Sequence, residues 1–236
     1  MTDADTQPAL MRPTPTRPLL GLTVLVVEDS RYACDAMRLL CLRSGARIRR
    51  ADCLTSARRH LRVYCPTIIV IDMGLPDGNG AELISELSQG ATRVPVVLGT
   101  SGDDYAQDIA IAAGADGFLP KPLESLSAFQ SAILQALPPD MRPEGLRVVR
   151  DEPVRPDPVA FHDDMAHAHD LLNGSDPVLD YIAQFLTGVA HSAGDDSLAL
   201  AARDLAQART SGAAWGGPLV TLRGMVQSRL ASDMAI

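Results

Sequence analysis

The sequence predicts a five-stranded parallel, doubly wound α/β domain followed by a small all-α helical bundle. Three observations carry that reading. Between residues 20 and 137, short β-branched runs alternate with helical patterns. Two of those runs, LTVLVV and TIIVI, are apolar without alternation, as strands buried on both faces are. Beyond residue 160 helical spacing continues with no strand-like run.

Residues 1–19 are polar, hold four prolines and read as a flexible tail. The α/β domain is expected over residues 20–137. Its strands are expected at Thr23–Val27, Arg47–Ala51, Thr67–Ile71, Val94–Leu98 and Gly117–Leu119. Helices are expected near 31–43, 53–62, 80–88, 104–113 and 123–136. A helix after every strand implies crossovers that cover both sheet faces. Residues 138–160, with PPDMRPEGLRVVRDEPVRPDP, hold six prolines; such density blocks helix and central strand, so a linker is expected. Residues 161–236 read as a helical output or interaction domain, with helices near 161–173, 177–192, 196–210 and 218–231. Each needs an apolar stripe to pack in a bundle, and three are visible, one of them Leu179, Ile182, Phe185, Leu186 and Val189. Trp215, in the loop SGAAWGGP, is expected to plug the bundle.

Composition narrows the function classes. The chain has 21 basic and 29 acidic side chains, net −8, a poor balance for binding a phosphate backbone. The segment 161–236 is more acidic still, with four arginines against nine acids, so DNA binding ranks low. Seven arginines cluster at 43–62 and read as a solvated face. Cys34, Cys41, Cys53 and Cys65 form no C-x-x-C pair and read as small apolar residues in a reducing compartment. No signal-peptide pattern opens the sequence, and no apolar run approaches a membrane span, so a cytoplasmic protein is expected.

Chemistry concentrates at the strand ends. Ligands of an open parallel sheet sit beyond the carboxyl ends of its strands. There the sequence places Glu28-Asp29, Asp72, Thr100 and Lys121, which is the chain's single lysine. Three crowded carboxylates call for a cation, and all-oxygen ligation favours a hard ion such as Mg²⁺. A compact ammonium suits a narrow anionic pocket better than a planar guanidinium.

VLVVEDS, VIDMGLPDGNG, VPVVLGTSGD and GADGFLPKP together resemble, in order and spacing, the receiver domain of two-component response regulators, over about residues 21–137. The resemblance implies a flavodoxin-like fold and a phospho-accepting switch rather than an enzyme acting on a separate substrate. It makes Asp72 the phospho-acceptor and Glu28 and Asp29 the acidic pair for Mg²⁺, with the Gly74 carbonyl as backbone ligand. Thr100 becomes the switch hydroxyl, Phe118 the rotating aromatic and Lys121 the phosphoryl-facing ammonium, followed by a cis proline bond. The implied partners are a sensor histidine kinase or phosphotransfer protein, and an output protein or a second copy of the chain. Ser101 and Pro120 depart from the common pattern and bear on switching. A haloacid-dehalogenase-type phosphatase would want an aspartate where Gly74 stands, which sets that enzyme aside. In the helical segment, GVAHSAGDDSLALAARDLAQA resembles part of a histidine phosphotransfer domain. His191 is therefore the alternative phospho-acceptor of a relay, although the lysine and glycine that normally follow are missing.

Overall fold

The structure, a computed structural model, describes residues 13–90, 94–103, 105–143, 153–174 and 178–232. The expected tail at residues 1–12 lies outside them. Among the described residues there are seven strands: β1 (Thr23–Val27), β2 (Arg47–Ala51), β3 (Ile68–Asp72), β4 (Gly74–Leu75), β5 (Gly78–Asn79), β6 (Val96–Ser101) and β7 (Gly117–Pro120). Five of them make one parallel sheet in the order β2-β1-β3-β6-β7, while β4 and β5 form a small antiparallel hairpin that was not expected. Strand β6 starts two residues late because Pro95 has no N–H for the ladder.

Helices α1 (Arg31–Ser44), α2 (Leu54–Val63), α3 (Gly80–Gln89), α4 (Ala106–Ala113) and α5 (Leu126–Ala136) cover the sheet. Side-chain alternation divides the core. Val24, Val26, Ile68, Val70, Val96 and Leu98 pack under α1 and α5. Leu25, Val27, Ile69, Ile71 and Val97 pack under α2, α3 and α4. Each fully buried Val, Ile or Leu contributes about 1.5–3 kcal/mol, so the sheet is fixed from both sides. Helix α5 begins at Leu126 rather than 123, because Ser125 caps it by accepting from the Ala128 amide at 3.1 Å.

The segment beyond contains α6 (Pro158–Leu172), α7 (Leu179–Ala193), α8 (Asp196–Ser211) and α9 (Gly216–Ser232). The stripe Leu179, Ile182, Phe185, Leu186 and Val189 is buried, together with Met165, Leu198, Leu205, Leu222 and Val226, in a core of its own. Arg229 pairs with Asp195, the residue that caps α8, at 2.9 Å.

Four expectations need correction. Residues 13–19 fold back rather than trail: Leu19 is fully buried, and its amide donates to the Ser44 carbonyl at 2.9 Å. The proline-rich stretch 138–160 is not all linker. Val154 is buried against the core under α1, its amide donates to the Glu124 carbonyl, and α6 already starts at Pro158 with Asp157 as its cap. Proline belongs there because a first-turn N–H has no helical partner. Trp215 does not plug the bundle; it is 42% exposed, with the Arg209 guanidinium 5.8 Å from its ring centre. Cys65 is exposed, and the Cys53 sulfur caps α2, so only Cys34 and Cys41 behave as buried apolar residues.

Candidate functional site

The strand ends converge as their sequence positions predict. Asp72 ends β3 directly opposite Thr100 on β6, and Glu28 and Asp29 follow β1. Carboxylate oxygens from Glu28, Asp29 and Asp72 lie within 4.8 Å of one another. Lys121 follows β7 and reaches back into this group. Its Nζ is 2.8 Å from Glu28 Oε2 and 3.2 Å from Asp72 Oδ1, and its side chain is 2% exposed. The Lys121–Pro122 bond is cis.

Gly80 shows why α3 can start hard against the end of β3. A Cβ at Gly80 would lie 2.2 Å from the Asp72 carbonyl oxygen, so only glycine lets the helix start there.

The electrostatics follow from crowding under cover. Burial, with the neighbouring Asp72 charge, raises the Asp29 carboxyl to about 7. Burial also pushes Glu28 well above the usual range; Lys121 opposes this, and Asp72 and Asp29 add to it. For Lys121 burial works against the charge, but Asp72 and Glu28 outweigh it and hold the ammonium protonated. Such a set fits a hard divalent ion: several carboxylate oxygens in one small space, with too little positive charge to satisfy them.

Thr100 is fully buried and its hydroxyl donates to the Leu119 carbonyl at 2.7 Å. Phe118 is half-buried, its ring lying over Gly99 beside Ala110. Gly74 lies in the hairpin at the pocket rim.

The unexpected part of the site comes from the helical segment. Helix α7 lies across the pocket mouth. The Tyr181 hydroxyl donates to Asp29 Oδ2 at 2.8 Å. The Gln184 amide stands so close to Gly74 that a Cβ there would be 2.3 Å from it. A Cβ at Gly188 would lie 3.7 Å from Lys121 Nζ, and one at Gly102 would lie 2.5 Å from His191 Nδ1. Offsets of 3, 7 and 10 residues keep these four positions within about 80° of one helix face. Helix α6 adds an anchor. Asp164, 2% exposed, accepts from the Ser30 hydroxyl at 2.8 Å, the Arg31 amide at 2.8 Å and the Tyr32 amide at 3.0 Å. Those are donors at the start of α1, where a carboxylate also meets the helix dipole.

His191, the alternative acceptor, is half-buried against Gly102, with Nε2 2.7 Å from Arg203 Nη2. His162, His167 and His169 lie on α6, apart from the carboxylate group. Among the described residues the only cluster of three potential metal ligands is Glu28, Asp29 and Asp72.

Residues 24–133 match the family model for the response regulator receiver domain. That segment is a receiver domain. Its relatives include the KDP operon transcriptional regulatory protein KdpE of Escherichia coli, 33% identical over 99 residues, which are 42% of this chain and 44% of KdpE. The virulence transcriptional regulatory protein PhoP of Salmonella typhimurium is 27% identical over 117 residues, 48% of this chain and 52% of PhoP. The chain thus spans about half the length of the relatives it matches. Similar solved structures include a putative response regulator from Chloroflexus aurantiacus, with a TM-score of 0.46 and 24% identity over 49% of this chain and 96% of that one. Another is the signal receiver domain of a histidine kinase from Syntrophus aciditrophicus, with a TM-score of 0.46 and 22% identity over 54% of this chain and 98% of that one. Among the described residues no helix is long and apolar enough to cross a membrane.

Proposed function

We propose that this chain is a phosphorylation-controlled switch in which Asp72 accepts the phosphoryl group and the helical segment delivers the response to a protein. The observation that carries the reading is the pairing of Asp72 with Lys121 beside two further carboxylates. An Asp72 carboxylate oxygen attacks phosphorus, the bond from phosphorus to the donor breaks, and the donor leaves with the electron pair. A phospho-histidine of a sensor kinase or phosphotransfer protein, or a small acyl phosphate, is a suitable donor. Glu28, Asp29 and Asp72 would hold Mg²⁺ together with the Gly74 carbonyl, and the ion supplies neutralising charge for the phosphoryl oxygens. Lys121 offers its ammonium to the same oxygens. Thr100 would exchange its Leu119 bond for a phosphoryl oxygen, and Phe118 would follow it inward.

The acidic helical segment favours a protein partner, or a second copy, over nucleic acid. The relatives' names describe transcriptional regulators, but those alignments span less than half of this chain and say nothing of the remainder. The His191 relay receives less support, because its Nε2 is engaged by Arg203 and its Nδ1 side is packed against Gly102.

The experiment is phosphoryl labelling by a small phosphodonor with Mg²⁺. Asp72→Asn should abolish it, and the wild-type label should survive acid as an acyl phosphate does. An acid-labile label that persists in Asp72→Asn would transfer the role to a histidine.

A further inference from the structure

The helical segment seals the site that the proposed function must open. Asp72 is 7% exposed and Lys121 8% exposed, and α7 lies on the rim that any donor has to cross. A donor imidazole carried on another protein cannot reach Asp72 past a docked helix. Mg²⁺ is also hampered, because it binds with near-octahedral geometry and usually keeps several waters, which need room outside the carboxylates. In the docked arrangement that room is taken by Tyr181 on Asp29 and Gln184 on Gly74.

We infer that α7 is a built-in cover of the phosphorylation pocket, and that Tyr181 competes with the metal and the phosphoryl group for it. Tyr181 presents a hydroxyl proton to the same carboxylate that a cation would neutralise. It satisfies Asp29 in the closed form and must leave when metal and phosphoryl arrive. Closure is held from a second side by Asp164 of α6 on the start of α1; because α6 and α7 share one core, departure of the two helices as a unit also frees the Ser30, Arg31 and Tyr32 donors. Any ligand that binds the open form better shifts the population by its differential affinity. Mg²⁺ and the phosphoryl group therefore act as opening ligands. This inference rests on the pocket reading above, and adds a regulator to it from the chain's own second half.

The test uses the full chain. Mg²⁺ affinity is measured for wild type and for Tyr181→Phe, which keeps the ring and removes the hydroxyl. Hydrogen exchange at the Arg31 and Tyr32 amides is followed with Mg²⁺ alone and with Mg²⁺ plus beryllofluoride, a phosphoryl mimic. Tyr181→Phe should bind Mg²⁺ about ten- to a hundredfold more tightly, the size of a hydrogen bond to a charged acceptor. Beryllofluoride should accelerate exchange at both wild-type amides by about tenfold or more. Equal Mg²⁺ affinities, or amides that stay protected with the mimic bound, overturn the competition while leaving Asp72 as acceptor. Absence of both Mg²⁺ binding and Asp72 labelling would overturn the pocket reading and this inference with it.

Discussion

Asp164→Ala should loosen the helical segment from the receiver without unfolding either. The carboxylate accepts three hydrogen bonds, at 2.8, 2.8 and 3.0 Å, from the first turn of α1. Bonds to a charged acceptor contribute about 1.5–3 kcal/mol each, so their gross value is large. Two effects reduce it. Burial disfavours the Asp164 charge, raising its pKa despite the Tyr32, Arg31 and Ser30 donors. Once the segments part, water satisfies the freed donors. A net loss of about 2–4 kcal/mol remains, roughly thirty- to several-hundred-fold in the docking equilibrium. The assay is a urea titration followed by small-angle scattering, where the first expansion reports separation. With a slope of about 2 kcal/mol/M, that expansion should move to lower urea by roughly 1–2 M. Receiver circular dichroism should hold, because Ser30 still caps α1 through the Ala33 amide. Asp164→Asn, which keeps one acceptor oxygen, should fall between. An expansion midpoint unchanged in Asp164→Ala would refute the claim that this carboxylate holds the two parts together.

Lys121→Arg keeps the charge but asks a planar fork to fit a position 8% exposed; the fold should survive while the phosphorylation-dependent change at Phe118 is lost, as read by its ring resonances. Equal responses in variant and wild type would show that the ammonium is replaceable. Gly80→Ala drives a Cβ to 2.2 Å from the Asp72 carbonyl, so the receiver should lose about 1–3 kcal/mol in denaturant melts, with Asp72 labelling reduced alongside. Asp29 gives a pH signature. Its carboxyl is raised to about 7 by burial and by Asp72, so the stability tied to its neutral form is full below about pH 4 and lost as pH rises towards 7. Without metal the melting temperature should therefore carry a falling contribution across that window, and stabilisation by Mg²⁺ should grow from pH 6 to pH 8; a pH-independent Mg²⁺ effect would contradict it.

The receiver pocket was legible because each of its groups sits at a strand end, and a parallel sheet brings strand ends together whatever lies between them. Asp72, Thr100 and Lys121 needed only the strand positions to be placed on one rim. The cover was not legible. Tyr181 and Asp29 are 152 residues apart, and Ser30 and Asp164 are 134 apart, in segments whose periodic patterns are independent of each other. An apolar stripe marks which face of α7 enters its own bundle; it does not mark what the opposite face meets. A tyrosine and a glutamine on a polar face read as ordinary solvated residues. The signal that remained was Asp164, an acid on α6 that ends up buried, and burial is invisible before the two segments meet. Pro158 was misread for a local reason: proline density suggests a linker, yet one proline after an aspartate cap opens a helix.

The outer strands of the sheet have a consequence for how copies of the chain meet one another. Strand β2 lies at one border with Arg47, Arg49 and Arg50 exposed, and β7 closes the other with Pro120 at its end. A border strand has backbone groups free to recruit a strand from a neighbouring molecule. At β2, such pairing would lay two rows of guanidinium groups side by side. At β7, the ladder would run into a residue that has no proton to give. The arginines that read as a plain solvated face thus disfavour edge-to-edge growth of a very apolar sheet.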